Sequence, residues 1–446
     1  MARQLFGTDG VRGRAGHFLT ADLALNLARA AVRRLQAARP QVLIVRDTRE
    51  SGEMLESAIA AGVTAGGGDA LLGGVLPTPA APLLVRRHGL DLAAVISASH
   101  NPYEDNGIKL FASDGFKLDD DTEHAIEAEL EKSPPPPAQV GRVRRLHGAL
   151  EDYLRELHQR FMELDLAGQR VLLDCANGAT FRAAPEMFRR LGAHVDVIAD
   201  QPDGQNINDG CGSTHLDSLL GGVSSGDYDA AFAFDGDGDR VLAVDRTGTV
   251  VDGDELIALA AIHLRDRGRL TGGGVAVTVM TNYGFHSAMA AAGIEVATTA
   301  VGDRYVLDEL RRRGWALGGE QSGHIIDLGF APSGDGIASA LLALEALVGR
   351  RLEDRDAMQK LPQRLVNVRA PGRGALSAAM DDPVVRGVVD REQVALSGRG
   401  RVLVRASGTE PLIRVMVEAP GDEETDEVCK RLVEVVERAI GVPAPG

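Results

Sequence analysis

Short, uninterrupted apolar runs recur along this chain, and segments of helical spacing separate them. A strand that is apolar at every position must be buried on both faces, so a sheet of such strands needs helices on each side. Val42–Val45 and Leu92–Ile96 are runs of this kind. Ala21–Gln36 carries apolar residues at helical spacing behind an N-cap candidate, Thr20. Glu53–Thr64 and Ala80–His88 read as helices and Ala70–Val75 as a strand. The resulting β-α-β-α-β order predicts a parallel sheet covered by helices.

A chain of 446 residues exceeds what one core holds, and roughly two to four domains are expected. Pro134–Pro137, an extended and semi-rigid run, breaks the first unit. After a segment Val140–Gly148 and a helix Glu151–Leu164, the pattern restarts with strand Arg170–Asp174, helix Ala183–Leu191, and strands His194–Ile198 and Ala230–Phe234. A third restart runs through helix Asp254–Arg267, strand Gly274–Val279, helix Phe285–Ala292 and strand Glu295–Thr299, closed by helix Gly336–Val348. Beyond about Leu361 the rhythm changes to short strands, Leu365–Arg369, Val402–Ala406 and Leu412–Glu418, with one helix, Glu424–Ile440. The expectation is an α/β protein: three tandem α/β domains with mixed or parallel sheets, at 1–150, 151–252 and 253–362, plus a smaller C-terminal α+β domain at 363–446.

The net charge of −16 disfavours nucleic acid and anionic membrane as partners. Cys175, Cys211 and Cys429 are odd in number and far apart, which argues against a disulfide framework and for reduced thiols in the cytoplasm. Neither a secretory h-region nor an apolar run of about 18 residues is present.

Four polar, glycine-rich loops carry the chemistry. Ser97-Ala98-Ser99-His100-Asn101-Pro102 follows strand Leu92–Ile96, an arrangement that delivers Ser99 to an exposed loop as a candidate nucleophile and phosphate carrier. On that loop alone, a hydrogen-bonding turn serine is the simpler reading. Neighbours in an extended segment point to opposite faces, so His100 need not be its base. Lys109 follows ten residues on, where a hairpin-like return could bring it back as a point charge for phosphate or, with a lowered pKa, as a proton shuttle. In Asp235-Gly236-Asp237-Gly238-Asp239-Arg240, glycines let three hard carboxylate ligands converge on Mg²⁺ or Ca²⁺. The twelfth position counted from Asp235 is Arg246, so this is no EF-hand. Gly318–His324 groups Glu320, Ser322 and His324, a mixture suited to reading sugar hydroxyls or simply to a polar turn. Arg405, Ser407, Gly408, Thr409 and Arg414 supply two guanidiniums, two hydroxyls and a glycine N–H, the parts of an anion nest. Gly7–Gly13 is a further glycine-rich stretch with Arg12, and lacks the Lys-Ser/Thr of a P-loop.

Taken in order, from Gly7-Thr8-Asp9-Gly10 to Arg414-Val415-Met416-Val417-Glu418, these loops resemble the α-D-phosphohexomutase superfamily nearly end to end. The resemblance implies four domains around a central cleft. It implies that Ser99 is phosphorylated and, with Asp235, Asp237 and Asp239, holds one Mg²⁺ per chain. It assigns Glu320 and Ser322 to the sugar, and Arg405, Ser407, Gly408, Thr409 and Arg414 to the substrate's idle phosphate. Lys109, His324 and Arg12 match residues proposed to assist proton transfer and charge stabilisation, with His100 beside the nucleophile as a further catalytic candidate. Gly408–Glu418 and Val301–Val306, and the lack of basic residues at Met280–Asn282, look like the branch acting on glucosamine phosphates. The implied reaction interconverts glucosamine 6-phosphate and glucosamine 1-phosphate through a phosphoserine and a bound 1,6-bisphosphate. Glucosamine 1,6-bisphosphate or another hexose 1,6-bisphosphate would be the activator, and the product would feed UDP-N-acetylglucosamine and cell-wall synthesis. The alternatives are a glucose or mannose phosphate mutase, a metal-dependent sugar-phosphate phosphatase using the same carboxylates, and a non-catalytic sensor. A homodimer is compatible with the sequence.

Overall fold

The computed structural model describes residues 5–7, 9–130, 132, 137, 139–407 and 411–441. Thr8, Pro134–Pro136, Gly408 and Thr409, all singled out in the sequence, lie outside them. Among the described residues the strands form four sheets, and the apolar runs are their central members. The first has the order Val11–Arg14, Asp105–Ala112, Leu92–Ile96, Gln41–Arg46, Asp69–Val75, Val143–Arg145. Its middle is parallel, with Val42 opposite Leu92. The three strands of the predicted β-α-β-α-β unit are parallel to one another, and the sheet as a whole is mixed, because Asp105–Ala112 runs antiparallel to both its neighbours. The reason is that a short connection after Ile96 turns the chain straight back instead of crossing the sheet through a helix.

Helices Ala21–Arg34 and Ser51–Ala65 pack over this sheet and bury Leu27, Val32, Ile59 and Val63 against Ile44, Leu92 and Ile108. They approach closely at Gly62, where a Cβ would lie 2.1 Å from the Leu25 carbonyl oxygen. Thr20 caps the first of them by accepting from the Leu23 N–H at 3.1 Å.

The second sheet has the order Val250–Val251, Val241–Asp245, Ala230–Phe234, Arg170–Asp174, His194–Ile198. The third has the order Glu295–Thr299, Gly274–Thr278, Leu317–Gly319, Ile325–Asp327. Both are mixed, since Val241–Asp245 and Ile325–Asp327 return antiparallel to their neighbours. In each case the loop at the turn is one of the glycine-rich stretches, so the sheet delivers it with both ends anchored.

The fourth sheet is antiparallel, in the order Gln363–Arg369, Leu412–Glu418, Arg401–Ala406. Three helices accompany it, Arg373–Asp381, Pro383–Ala395 and Asp422–Ala439, where the sequence predicted one. The missed start of Pro383–Ala395 is marked by an N-cap aspartate followed by proline at the first helical position: Asp382 accepts from the Val384 N–H at 2.6 Å.

The chain forms two compact units. One comprises Met1–Val279 and Glu295–Arg355 and holds the first three sheets; the other comprises Met280–Ile294 and Asp356–Gly446. Helix Tyr283–Ala291 therefore belongs with the fourth sheet, where the Tyr283 N–H donates to Glu418 Oε2 at 2.8 Å. Among the described residues no helix is long and apolar enough to cross a membrane.

Candidate active site

Asp235, Asp237 and Asp239 follow strand Ala230–Phe234, and their carboxylate oxygens lie within 4.8 Å of one another, all buried. Two charged carboxylates at that separation repel by about 3–4 kcal/mol at an effective dielectric of about 20. The site relieves this in two ways. Burial, then Asp239 and Asp237, hold the Asp235 carboxyl well above the usual carboxylate range, and it accepts a hydrogen bond from Ser99 Oγ. Lys109 Nζ stands between the other two, 2.9 Å from Asp237 Oδ2 and 3.4 Å from Asp239 Oδ2.

The residues present fit a hard divalent cation. Asp237 Oδ1 and Asp239 Oδ1 are buried without a hydrogen-bond partner, and carboxylate oxygens are the donors such ions take. The remaining oxygens are engaged: Asp237 Oδ2 accepts from Thr78 Oγ1 at 2.6 Å, and Asp235 Oδ1 from the Arg240 N–H at 3.1 Å.

Ser99 is buried rather than exposed, at 1% accessible, while the loop beyond it opens through half-buried His100 and Asn101 to exposed Pro102. Its backbone is left-handed, φ +54°, a conformation that costs a non-glycine residue about 1–3 kcal/mol. That departure from an extended chain overturns the opposite-faces expectation for His100, whose Nδ1 lies 3.3 Å from Ser99 Oγ. Burial, then Arg240 and Arg12, lower the His100 pKa to about 4, so the imidazole is neutral at neutral pH.

Lys109 does return by a hairpin, opposite Val95 on the neighbouring strand, but it reaches the aspartates. Burial lowers its pKa, and Asp237, Asp9 and Asp239 more than reverse this, leaving it above the ordinary lysine value. Of the two roles open to Lys109, this surrounding of carboxylates favours the point charge over the proton shuttle. A chain of charges extends from it through Asp9, 3.1 Å away, to Arg12 and Lys117, and from Lys117 to Asp303. Asp9, Lys117 and Asp303 were missed in the sequence. Asp9 had a signal, its place in the glycine-rich stretch with Arg12; a lone lysine after Phe116 had none.

The loop bearing Glu320, Ser322 and His324 is joined to the aspartate loop by a bridge between Arg240 and His324, and by the Val241 N–H donating to the Gly323 carbonyl at 3.1 Å. Gly323 has φ +92°, and a Cβ there would lie 2.1 Å from the Val241 carbonyl oxygen, so only glycine fits. His324 Nδ1 is 3.5 Å from Asp239 Oδ1 and Nε2 is 3.8 Å from Asp303 Oδ2. Burial lowers the His324 pKa, but Asp239 and then Asp303 overcome this and raise it. Glu320 is buried, with Oε1 accepting from the Gly302 N–H at 2.9 Å, and Ser322 is exposed. The first unit thus brings together Ser99, His100, Lys109, Arg12, the three aspartates and the Glu320–His324 loop.

In the second unit Arg405 and Arg414 face each other across adjacent strands. Like charges directly opposed are unfavourable unless an anion lies between them. Burial, then Arg414, lower the Arg405 pKa. The Ser407 N–H closes the hairpin by donating to the Leu412 carbonyl at 2.8 Å.

All four domain families described as phosphoglucomutase/phosphomannomutase match: α/β/α domain I at residues 3–135, domain II at 151–248, domain III at 252–365 and the C-terminal domain at 365–435. The chain belongs to the phosphoglucomutase/phosphomannomutase family. Within it, the chain is 49% identical to the phosphoglucosamine mutase of Moorella thermoacetica, covering 97% of this chain and 99% of that one. It is 47% identical to that of Paenarthrobacter aurescens, covering 99% of each. Among solved structures, a phosphoglucomutase/phosphomannomutase family protein from Burkholderia thailandensis superposes with a TM-score of 0.83 at 23% identity, over 98% of both chains. The Aspergillus fumigatus N-acetylphosphoglucosamine mutase, solved with GlcNAc-6P and magnesium, gives a TM-score of 0.67 at 19% identity, over 98% of this chain and 96% of that one. At these identities the two structures speak for the fold.

Proposed function

We propose that this isomerase interconverts glucosamine 6-phosphate and glucosamine 1-phosphate, with Ser99 as the phosphate carrier. The observation that carries the reading is Ser99 Oγ hydrogen-bonded into a buried triad of carboxylates two of whose oxygens accept no hydrogen bond. The full-length similarity to relatives named phosphoglucosamine mutase supports a hexosamine phosphate as substrate.

Phospho-Ser99 gives its phosphoryl group to the free hydroxyl of the sugar phosphate. The Oγ–P bond breaks, a sugar O–P bond forms, and the proton given up by the sugar hydroxyl ends on Ser99 Oγ. The bound 1,6-bisphosphate then turns end for end and returns its other phosphoryl group to Ser99. Asp235, Asp237, Asp239 and the Ser99 phosphate would hold Mg²⁺, which supplies neutralisation of the charge on the transferring group. Lys109, and His324 whose pKa Asp239 and Asp303 raise, oppose that charge from the protein side. His100, neutral and 3.3 Å from Oγ, is placed to hold a proton there. Glu320 and Ser322 read sugar hydroxyls. Arg405, Ser407 and Arg414, with Gly408 and Thr409, grip whichever phosphate is idle. A hexose 1,6-bisphosphate would recharge Ser99 after loss of its phosphoryl group.

The test is Ser99→Ala, which should abolish mutase turnover in a coupled assay; full retention refutes the carrier role. Measuring kcat/KM for glucosamine, glucose and mannose phosphates in one assay tests the substrate, and glucose phosphate outperforming glucosamine phosphate would overturn it. Stoichiometric release of inorganic phosphate would identify a phosphatase instead.

A further inference from the structure

One guanidinium holds the backbone of the Ser99 loop. Arg49 is fully buried. Its Nη2 donates to the carbonyls of Ser99 and Asn101, each at 2.9 Å, and its Nη1 to that of Pro102 at 2.5 Å. Its Nε donates to Asp47 Oδ2 at 2.9 Å, the oxygen that also accepts from Ser97 Oγ at 2.6 Å. Ser97 Oγ in turn accepts from the Ser99 N–H at 3.0 Å. From the second sheet's side, Asn208 Nδ2 donates to the same Ser99 and Asn101 carbonyls at 3.0 and 3.2 Å. The peptide units on both sides of Ser99 are therefore tied down, and the side chain between them is left to face Asp235.

We propose that Arg49, seated by Asp47, is a positioning residue for phosphoryl transfer at Ser99, and that Asn208 is its second clamp. The inference rests on Ser99 being the phosphate carrier. A left-handed serine relaxes to an ordinary conformation by swinging its carbonyl, and that carbonyl is the atom both clamps hold. A planar fork fixes the direction of several acceptors at once, whereas a lysine ammonium fixes none. Stability alone does not explain a buried ion pair here, because apolar residues of similar volume often serve as well. The reaction does explain it: Ser99 must present the same pose twice per turnover, once giving and once receiving a phosphoryl group.

The test compares Arg49→Lys and Asn208→Gly with the parent chain; glycine keeps the φ of +59° at position 208 without strain. Three quantities are read: kcat, KM for glucosamine 1-phosphate, and the rate at which glucose 1,6-bisphosphate phosphorylates Ser99, followed by intact mass. Arg49→Lys should lower kcat and the phosphorylation rate together by about 10- to 100-fold, leaving KM within about twofold. Asn208→Gly should lower both rates by about 3- to 10-fold. Parental rates in either variant, or a rise in KM at unchanged kcat, overturn the inference. If Arg49→Lys does not fold, Asn208→Gly decides alone. Ser99→Ala run alongside separates the two readings. Full activity there removes the carrier, whereas an inactive Ser99→Ala beside an unimpaired Arg49→Lys removes only the clamp.

Discussion

Gly236→Ala should slow the chemistry without unfolding the protein. The alanine meets no backbone penalty, because Gly236 is not among the residues with positive φ. Its Cβ, however, would lie 2.6 Å from the Ser99 carbonyl oxygen, 2.7 Å from Asn208 Nδ2 and 2.8 Å from Ile207 Cδ1. Ordinary contact begins near 3.4 Å, so the Ser99 backbone and the aspartate loop must separate by about 0.8 Å. Neither side is a flexible side-chain tip; one is a carbonyl held by two clamps and the other the chain carrying the carboxylates. A misplacement of about 1 Å at reacting groups costs about 100-fold, so kcat should fall about 10- to 100-fold. Overpacking of this size costs about 1–3 kcal/mol of stability, which leaves the fold intact. The assay is coupled turnover of glucosamine 6-phosphate at saturating Mg²⁺ and hexose 1,6-bisphosphate, with thermal unfolding followed in parallel. Gly248→Ala is the control. It has φ +83° and open space around the added Cβ, so about 1–2 kcal/mol of strain should appear with kcat unchanged. A Gly236→Ala enzyme within about twofold of the parental kcat would refute the close-contact reasoning.

Asp237→Asn should shift the Mg²⁺ activation curve to higher concentration by more than about tenfold, and an unchanged titration removes Asp237 from the ligand set. With Arg405 gripping the idle phosphate in both half-reactions, as proposed, Arg405→Ala should raise KM for glucosamine 1-phosphate more than it lowers kcat; a pure kcat effect contradicts that assignment. Asp335 gives a pH signature. Burial raises its pKa from 3.8 to about 6 in the folded chain, so between those values the folded state binds more protons than the unfolded one and stability falls as pH rises. Asp335→Asn keeps the cap on helix Gly336–Ala346, which accepts from the Ala338 N–H at 2.9 Å. In denaturant titrations the variant should gain on the parent by up to about 3 kcal/mol between pH 4 and pH 6; a flat or opposite trend refutes it.

The carboxylate cluster was legible because it is a local motif: three carboxylates alternate with glycines between Asp235 and Asp239, and the structure brings them together. The strands were legible because burial on both faces leaves a plain apolar run. What escaped acts over distance or through backbone geometry. Arg49 and Asn208 hold carbonyls, which every residue has, at separations of 50 and 109 positions. The left-handed turn at Ser99 leaves no mark in a serine codon, and it alone decides that His100 shares a side with Oγ. The direction of the Lys109 shift depends on three carboxylates from two other segments, so no reading of its neighbours could supply it. Helix Pro383–Ala395 carries a legible mark in the Asp382-Pro383 pair, whereas helix Arg373–Asp381 begins at Gly372 without a side-chain cap.

The second compact unit is discontinuous in sequence, and this bears on how the chain is made. Helix Tyr283–Ala291 takes its partner, Glu418, from the far end of the chain, 135 positions on. Glu418 is fully buried and also receives Arg401 Nε at 2.8 Å and Gln363 Nε2 at 2.6 Å. During synthesis at about 5–20 residues per second, the helix therefore waits about 7–27 seconds for the strand that completes its setting. In the first unit, Ser99 and Asp235 are separated by a comparable 136 positions, but both are released well before Glu418. A nascent chain stalled near residue 360 should thus carry an assembled carboxylate site beside an unpaired helix, which limited proteolysis of ribosome-bound chains would detect as cleavage within 283–291.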